Sequence, residues 1–139
     1  STFKMELRNA VECYAYIFTP DSTGTSFVLF PYKPIHSPYF GITGYRLFPR
    51  RESIQADAIG NKDFMAILVS KQPLDYNAIN STINSAQGSS YTEKFNRAIA
   101  SMAMKNVNFS SGQNNSIYFK TGAGDQNQVI GCVVEIDKQ

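Results

Sequence analysis

Four of the six prolines of this chain, Pro31, Pro34, Pro38 and Pro49, fall in one stretch that also holds Tyr32, Ile35, Tyr39, Phe40, Ile42, Tyr45, Leu47 and Phe48. Proline fixes φ and removes an N–H donor, so this spacing excludes a helix and a central strand. A disordered linker would lack such apolar content. Residues 31–51 therefore read as an ordered connection pinned by its own aromatic side chains, with a short strand at 45–48 and tight bends at Gly41 and Gly44. Apolar runs bound it on each side, Phe27-Val28-Leu29-Phe30 before and Phe64-Met65-Ala66-Ile67-Leu68-Val69 after. Both read as core strands, and the second is the candidate for the middle of a sheet.

The remaining chain is patterned in the same way. Phe3, Met5 and Leu7 alternate with Lys4, Glu6 and Arg8, the period of a half-buried strand. In the next run Val11, Cys13, Ala15 and Ile17 share one face, and Tyr14, Tyr16 and Phe18 share the other. Two apolar faces predict a central strand covered on both sides. Thr19-Pro20-Asp21-Ser22-Thr23-Gly24 has turn chemistry, which makes Phe27–Phe30 the return strand of a hairpin. Ile54-Gln55-Ala56 reads as a short edge strand, and Asp57–Asp63 as a polar turn.

Helical signals occur twice. Asp75 is placed to cap a helix whose stripe is Tyr76, Ile79, Ile83 and Ala86, with Leu74 and Ile79 at staple spacing. Ser90-Tyr91-Thr92-Glu93 reads as a capping box ahead of the stripe Tyr91, Phe95, Ala98, Ile99 and Met102. The tail returns to strand character at Val107–Ser110, Ile117–Phe119 and Val129–Ile136, with Ile130, Cys132, Val134 and Ile136 on one face. Hairpins dominate and no regular βαβ alternation is present. The expected fold is α+β: a mostly antiparallel β-sandwich or open barrel of about six or seven strands, with two short helices inserted before the C-terminal strands.

At 139 residues the chain fits a single domain with one core. Ten Phe and eight Tyr beside no Trp are a strand-favouring bias. A formal net charge of +2 predicts no strong steering toward nucleic acid. No apolar run reaches the roughly 18 residues that a membrane-spanning helix needs. The chain opens at Ser1 without a start methionine, which predicts a mature or C-terminal piece of a longer protein. Cys13 and Cys132 form no metal-ligand pattern; they read as two buried thiols, with one disulfide between terminal strands as the alternative.

The pieces Tyr14-Ala15-Tyr16-Ile17-Phe18, Ser26-Phe27-Val28-Leu29-Phe30-Pro31, Leu47-Phe48-Pro49 and Met65-Ala66-Ile67-Leu68-Val69-Ser70-Lys71-Gln72-Pro73-Leu74-Asp75 follow one another in an order that resembles a bacterial domain of unknown function. That domain is found attached to protein kinases, caspase-like peptidases and other envelope or signalling modules. The resemblance spans somewhat under half of the chain. It implies an accessory, non-catalytic module with no catalytic residues to carry over. It also implies a periplasmic, outer-membrane-attached or extracellular setting, and an enzyme or caspase-like module upstream. The connection 32–51 and the helices after Asp75 depart from the family pattern.

Chemistry-bearing residues are few. His36 is the only histidine, so two-histidine metal motifs are absent, and no nucleophile-elbow motif accompanies it. It reads as a loop-packing residue, with a catalytic base as the alternative. Glu52, Asp57 and Asp63 lack the spacing of a calcium loop and read as solvated turn residues. Glu12 is the acid of most interest, either a buried carboxylate with a raised pKa or a residue at the wet end of its strand. Gly122-x-Gly124 reads as a turn rather than a phosphate loop. Tyr45 and Phe48 beside Arg46, Arg50 and Arg51 have the composition of a single-strand stacking site, a reading the near-neutral charge disfavours.

The expected function is therefore a non-catalytic accessory or protein-interaction domain. It would dock a protein partner, or a neighbouring domain of its own chain, through Tyr39, Phe40, Tyr45, Arg46 and Phe48, residue types that interfaces favour. No cofactor, metal, nucleic acid or membrane span is expected. A carbohydrate- or small-ligand-binding β module using tyrosine stacking is the alternative, and a hydrolase is the remote one.

Overall fold

The computed structural model describes residues 2–3, 5–9, 12–31, 37–41, 44–48, 54–55, 62–104, 107–111, 117–121 and 129–137, with side chains for 12–31, 37–41, 63–104, 107, 109, 110 and 129–136. In chain order the elements are β1 (Thr2–Phe3), β2 (Met5–Asn9), β3 (Cys13–Pro20), β4 (Ser26–Phe30), β5 (Tyr39–Phe40), β6 (Gly44–Phe48), β7 (Ile54–Gln55), β8 (Lys62–Ser70), α1 (Tyr76–Ser85), α2 (Tyr91–Ile99), β9 (Val107–Ser111), β10 (Ile117–Thr121) and β11 (Val129–Asp137).

The main sheet runs β11-β8-β3-β4, and β5 pairs with β3 on the same side as β4. Every pairing within it is antiparallel. It is an open sheet, so among the described residues the expectation resolves to an α+β fold without barrel closure. Three two-stranded antiparallel ladders accompany it, β1 with β7, β2 with β6, and β9 with β10. β8 stands between β11 and β3, the central place its unbroken apolar run predicted. Asp63 belongs to β8, opposite Ile136, and not to a turn. The rest of the expected turn, with Glu52, Asp57 and residues 56–61, lies outside the described residues.

β4 and β5 are two pieces of one edge. Phe30 stands opposite Ile17, and Tyr39 and Phe40 stand opposite Tyr14 and Cys13, so both run along β3 in the same direction. The Ala15 N–H donates to the Pro38 carbonyl at 2.9 Å just ahead of β5. Strand pairing at 44–48 agrees with the sequence, although Gly44 sits inside β6 opposite Asn9 and makes no separate bend. In the β3–β4 turn Gly24 has φ 86°, and the Asp21 carboxylate accepts from the N–H groups of Thr23 and Thr25. A positive φ there suits glycine, which has no Cβ to clash.

The two faces of β3 head two cores. Tyr16 and Phe18 join Ala66, Leu68 and Val129 beneath Ile79, Ile83, Tyr91, Phe95 and Ile99 of the helices. Cys13, Ala15 and Ile17 join Phe30, Phe40, Met65 and Ile67 on the opposite face, with Cys132, Val134 and Ile136 packed against them. Burying both faces of β3 and β8 explains why their sequences show no polar alternation. α1 lies against β4, and α2 lies against β8 and β11.

Both helices begin as the sequence predicts, with one change. The Asp75 side chain accepts from the Ala78 N–H, and the Ser90 side chain accepts from the Glu93 N–H. Glu93, however, closes its half of the box one residue earlier, taking the N–H and hydroxyl of Ser89 at 3.1 and 2.9 Å. The carboxylate also pairs with Arg97 at 2.7 Å, and Arg97 donates to the Gln87 carbonyl at 2.8 Å. These contacts tie the short connection between the helices to the first turns of α2.

Cys13 and Cys132 are thiols, one buried and one half-buried. Cys132 stands opposite Ile67, which stands opposite Ile17, four residues along β3 from Cys13. Two strand spacings across and four residues along put their Cα atoms roughly 16 Å apart. A disulfide needs less than about 7 Å.

Candidate functional site

The surface to test first is the one the aromatic connection was expected to form. Tyr39 and Phe40 are neighbours in β5, and strand alternation sends them to opposite faces. Phe40 is 3% exposed and belongs to the core beside Cys13 and Phe30. Its place in the expected docking patch is thereby corrected: its partner in the ladder is Cys13, on the inward side of β3, and its ring follows that side. Tyr39 stays at the surface at 38% exposure. Tyr45, Arg46 and Phe48 lie in β6 opposite Arg8, Leu7 and Met5, and their side chains lie outside the described residues. His36, Arg50 and Arg51 lie wholly outside them.

What Tyr39 meets instead are residues of β3. Tyr14 stands directly opposite it in the ladder. The two rings are 5.5 Å apart between centroids and tilted by 59°, within the favourable range for aromatic pairs. Glu12, two residues before Tyr14, faces the same side of the strand and is exposed. It therefore occupies the wet end of β3, one of the two positions the sequence allowed. The Glu12 carboxylate accepts a hydrogen bond from the Tyr39 hydroxyl, and this bond is the main reason the Tyr39 phenol is held above its usual pKa. Desolvation and the charge of Glu12 push in the same direction.

The line of rings continues inward. Tyr16 is buried and its ring lies 5.7 Å from that of half-buried Tyr76 at the start of α1. The Tyr16 hydroxyl accepts from the Leu74 N–H at 2.9 Å, fixing the chain between β8 and α1. Burial raises the Tyr16 pKa, partly offset by that bond. Glu12, Tyr14 and Tyr39 thus form the outer end of a tyrosine row whose inner end is core.

Sequence reasoning found Tyr39 and singled out Glu12, but not that they meet, and it read Tyr14 only as part of a covered face. The signal that joins them is the register between β3 and β5, which no local pattern encodes.

Two further features bear on function. A cleft of about 220 Å³ with a mixed polar and apolar lining lies between α2, the chain after it, β9 and β11, with Asn96, Ile99, Met104, Val107, Phe109 and Gly131 among its walls. Phe109 at this cleft is 47% exposed. Among the described residues no group of three or more His, Cys, Asp or Glu side chains is placed to hold a metal ion, and no helix is long and apolar enough to cross a membrane. No protein-family model matches this chain, and neither a curated protein nor a solved structure matches it.

Proposed function

We propose that this is a non-catalytic interaction domain, docking a protein partner or a neighbouring domain of its own chain through the surface around Tyr39. The observation that carries the reading is the pair of adjacent residues Tyr39 and Phe40. One ring is committed to the core, while the other is left at the surface against Tyr14 and Glu12. Tyrosine is favoured at interface centres because it brings a large rigid apolar area and a polar tip together. Both strands that present the surface are paired into the main sheet, so the site is held on a rigid base rather than on a free loop. The resemblance noted above supplies the setting of this proposal, an accessory module of a bacterial envelope or secreted protein. Tyr45, Arg46 and Phe48 remain part of the proposed surface.

The test is photo-crosslinking in the full-length protein in its own cells, with benzoylphenylalanine at position 39 and, as a control, at Ser81 on exposed α1. Adducts to one partner, or to another domain of the same chain, are expected at 39 and not at 81. Equal labelling from both positions would remove the proposal. Once the partner is known, Tyr39→Ala is expected to weaken its binding by about tenfold, the loss of an interface residue contributing roughly 1.4 kcal/mol.

A second reading rests on the tyrosine row itself. Tyr14, Tyr39 and Tyr76 are each at least partly accessible on one side of the sheet, and tyrosine rings beside a carboxylate are a common means of holding sugars. A glycan array with the wild-type domain decides it: binding that Tyr39→Ala abolishes supports this reading, and an empty array counts against it.

A further inference from the structure

The chemistry of the Tyr39 surface goes beyond a generic contact. Three side chains meet there: the rings of Tyr14 and Tyr39, paired across β3 and β5, and the carboxylate of exposed Glu12, just before β3, which accepts from the Tyr39 hydroxyl. The rings tilt at 59° to each other, so they form two walls of a shallow corner rather than a flat stack. Aromatic faces carry negative quadrupole charge, and a carboxylate beside them adds a full negative charge. A corner of that kind complements a cation with an apolar stem. We infer that the Glu12–Tyr14–Tyr39 corner receives a lysine or arginine side chain of the docking partner. This rests on the docking proposal and adds to it the charge and shape of what docks.

The local charge matters because the whole chain has the opposite sign, a formal +2. A basic partner is therefore selected at close range by this corner and not steered by the overall field. The hydrogen bond from Tyr39 to Glu12 keeps the carboxylate beside the rings. Glu12 thus serves both to orient Tyr39 and to supply the charge.

The experiment is an NMR titration of the wild-type domain with acetyl-lysinamide and acetyl-argininamide. Acetyl-norleucinamide is the uncharged control and tetramethylammonium a bare cation. Saturable millimolar shifts of the Tyr14 and Tyr39 ring signals are expected with the lysine or arginine probe, and at least threefold weaker binding with norleucine. Glu12→Gln and Tyr39→Ala should each weaken the cationic probe at least threefold. Tyr39→Phe, which keeps the ring but loses the hydrogen bond to Glu12, should weaken it less than Tyr39→Ala. Norleucine binding as well as lysine, or no saturation with either basic probe, overturns the inference. So does binding of tetramethylammonium alone, which would point to a small quaternary ammonium ligand instead. These outcomes are separable from the docking proposal, since crosslinking from position 39 can succeed when the cationic probes fail.

Discussion

Single atoms decide much of the packing here, and Gly131 is the sharpest case. A Cβ built on it would run into Ile99 Cδ1 and stand 2.9 Å from Phe95 Cε2. Both side chains are buried, at 3% and 0% exposure, so making room for the Cβ means displacing core side chains. Gly131→Ala is expected to destabilise the domain by about 1–3 kcal/mol, the usual cost of overpacking a filled core, as measured by urea denaturation. Phe40 and Tyr39 make a matched pair at the same scale. Phe40→Ala should cost about 3–5 kcal/mol in that assay, whereas Tyr39→Ala should leave the midpoint nearly unchanged. Tyr91 gives the domain a pH signature. Burial raises its phenol to about 12 against a reference of 10.0, despite its 2.7 Å hydrogen bond with Ser26. The folded state therefore holds this proton more tightly than the unfolded one. The contribution is complete below about pH 10 and is lost as pH climbs toward about 12. Thermal melts across that window should show a steeper decline for wild type than for Tyr91→Phe.

At the scale of elements, α1 closes the edge of the sheet as well as one core. The Ser26 N–H donates to Asn84 Oδ1 at 2.7 Å, and Asn84 Nδ2 donates back to the Ser26 carbonyl at 3.0 Å. The Asn84 carboxamide thus imitates the paired groups of one more strand. Asn80 adds a second donor to the same carbonyl at 3.0 Å. An edge strand otherwise offers such groups to another chain, and side chains from a covering helix are one way to occupy them. Asn84→Ala is expected to lower stability by about 1–2 kcal/mol, since the Ser26 N–H loses its acceptor in a partly buried place. Ser81→Ala, one turn away on the exposed side, should have no measurable effect. A melt in which the two variants coincide would show that Asn84 contributes nothing to the edge. Nothing in the local pattern marks Asn80 or Asn84 for this role. Their partner lies 54 and 58 residues away, so no periodicity could name it.

For the molecule as a whole, the two-faced character of β3 and β8 dictates a layered core with helices on one side. Within one of those layers, strand order and register keep Cys13 and Cys132 two strands and four residues apart on the same face. The prediction is two titratable thiols in the denatured, unreduced protein; a single disulfide-linked species with no reactive thiol would contradict the strand register. The same layering explains why Tyr16 is buried while its neighbours in the tyrosine row, Tyr14, Tyr39 and Tyr76, keep at least partial access. Tyr16 is roofed by α1 and the chain leading into it, while Tyr14 and Tyr39 lie where that roof stops.

The chain's own pattern determined its strands and helices because hydrophobic period, capping residues and turn residues act over a few positions. The double apolar face of Tyr14–Phe18 and the turn at Gly24 are local and present where the pattern puts them; the stripe from Tyr91 is helical as far as Ile99, and Met102, read as its last position, packs on the same core from beyond the helix end. Pairing across long gaps was decided only by tertiary structure. Leu29 is an extra residue between the pairs Ile17–Phe30 and Phe18–Val28, so Val28 and Phe30, two apart, face opposite cores. Such a bulge reverses side-chain parity without any mark in the sequence. The register that sets Tyr39 opposite Tyr14, and so creates the corner with Glu12, is of the same kind: it depends on where the chain re-enters the sheet, which is a property of the packed molecule.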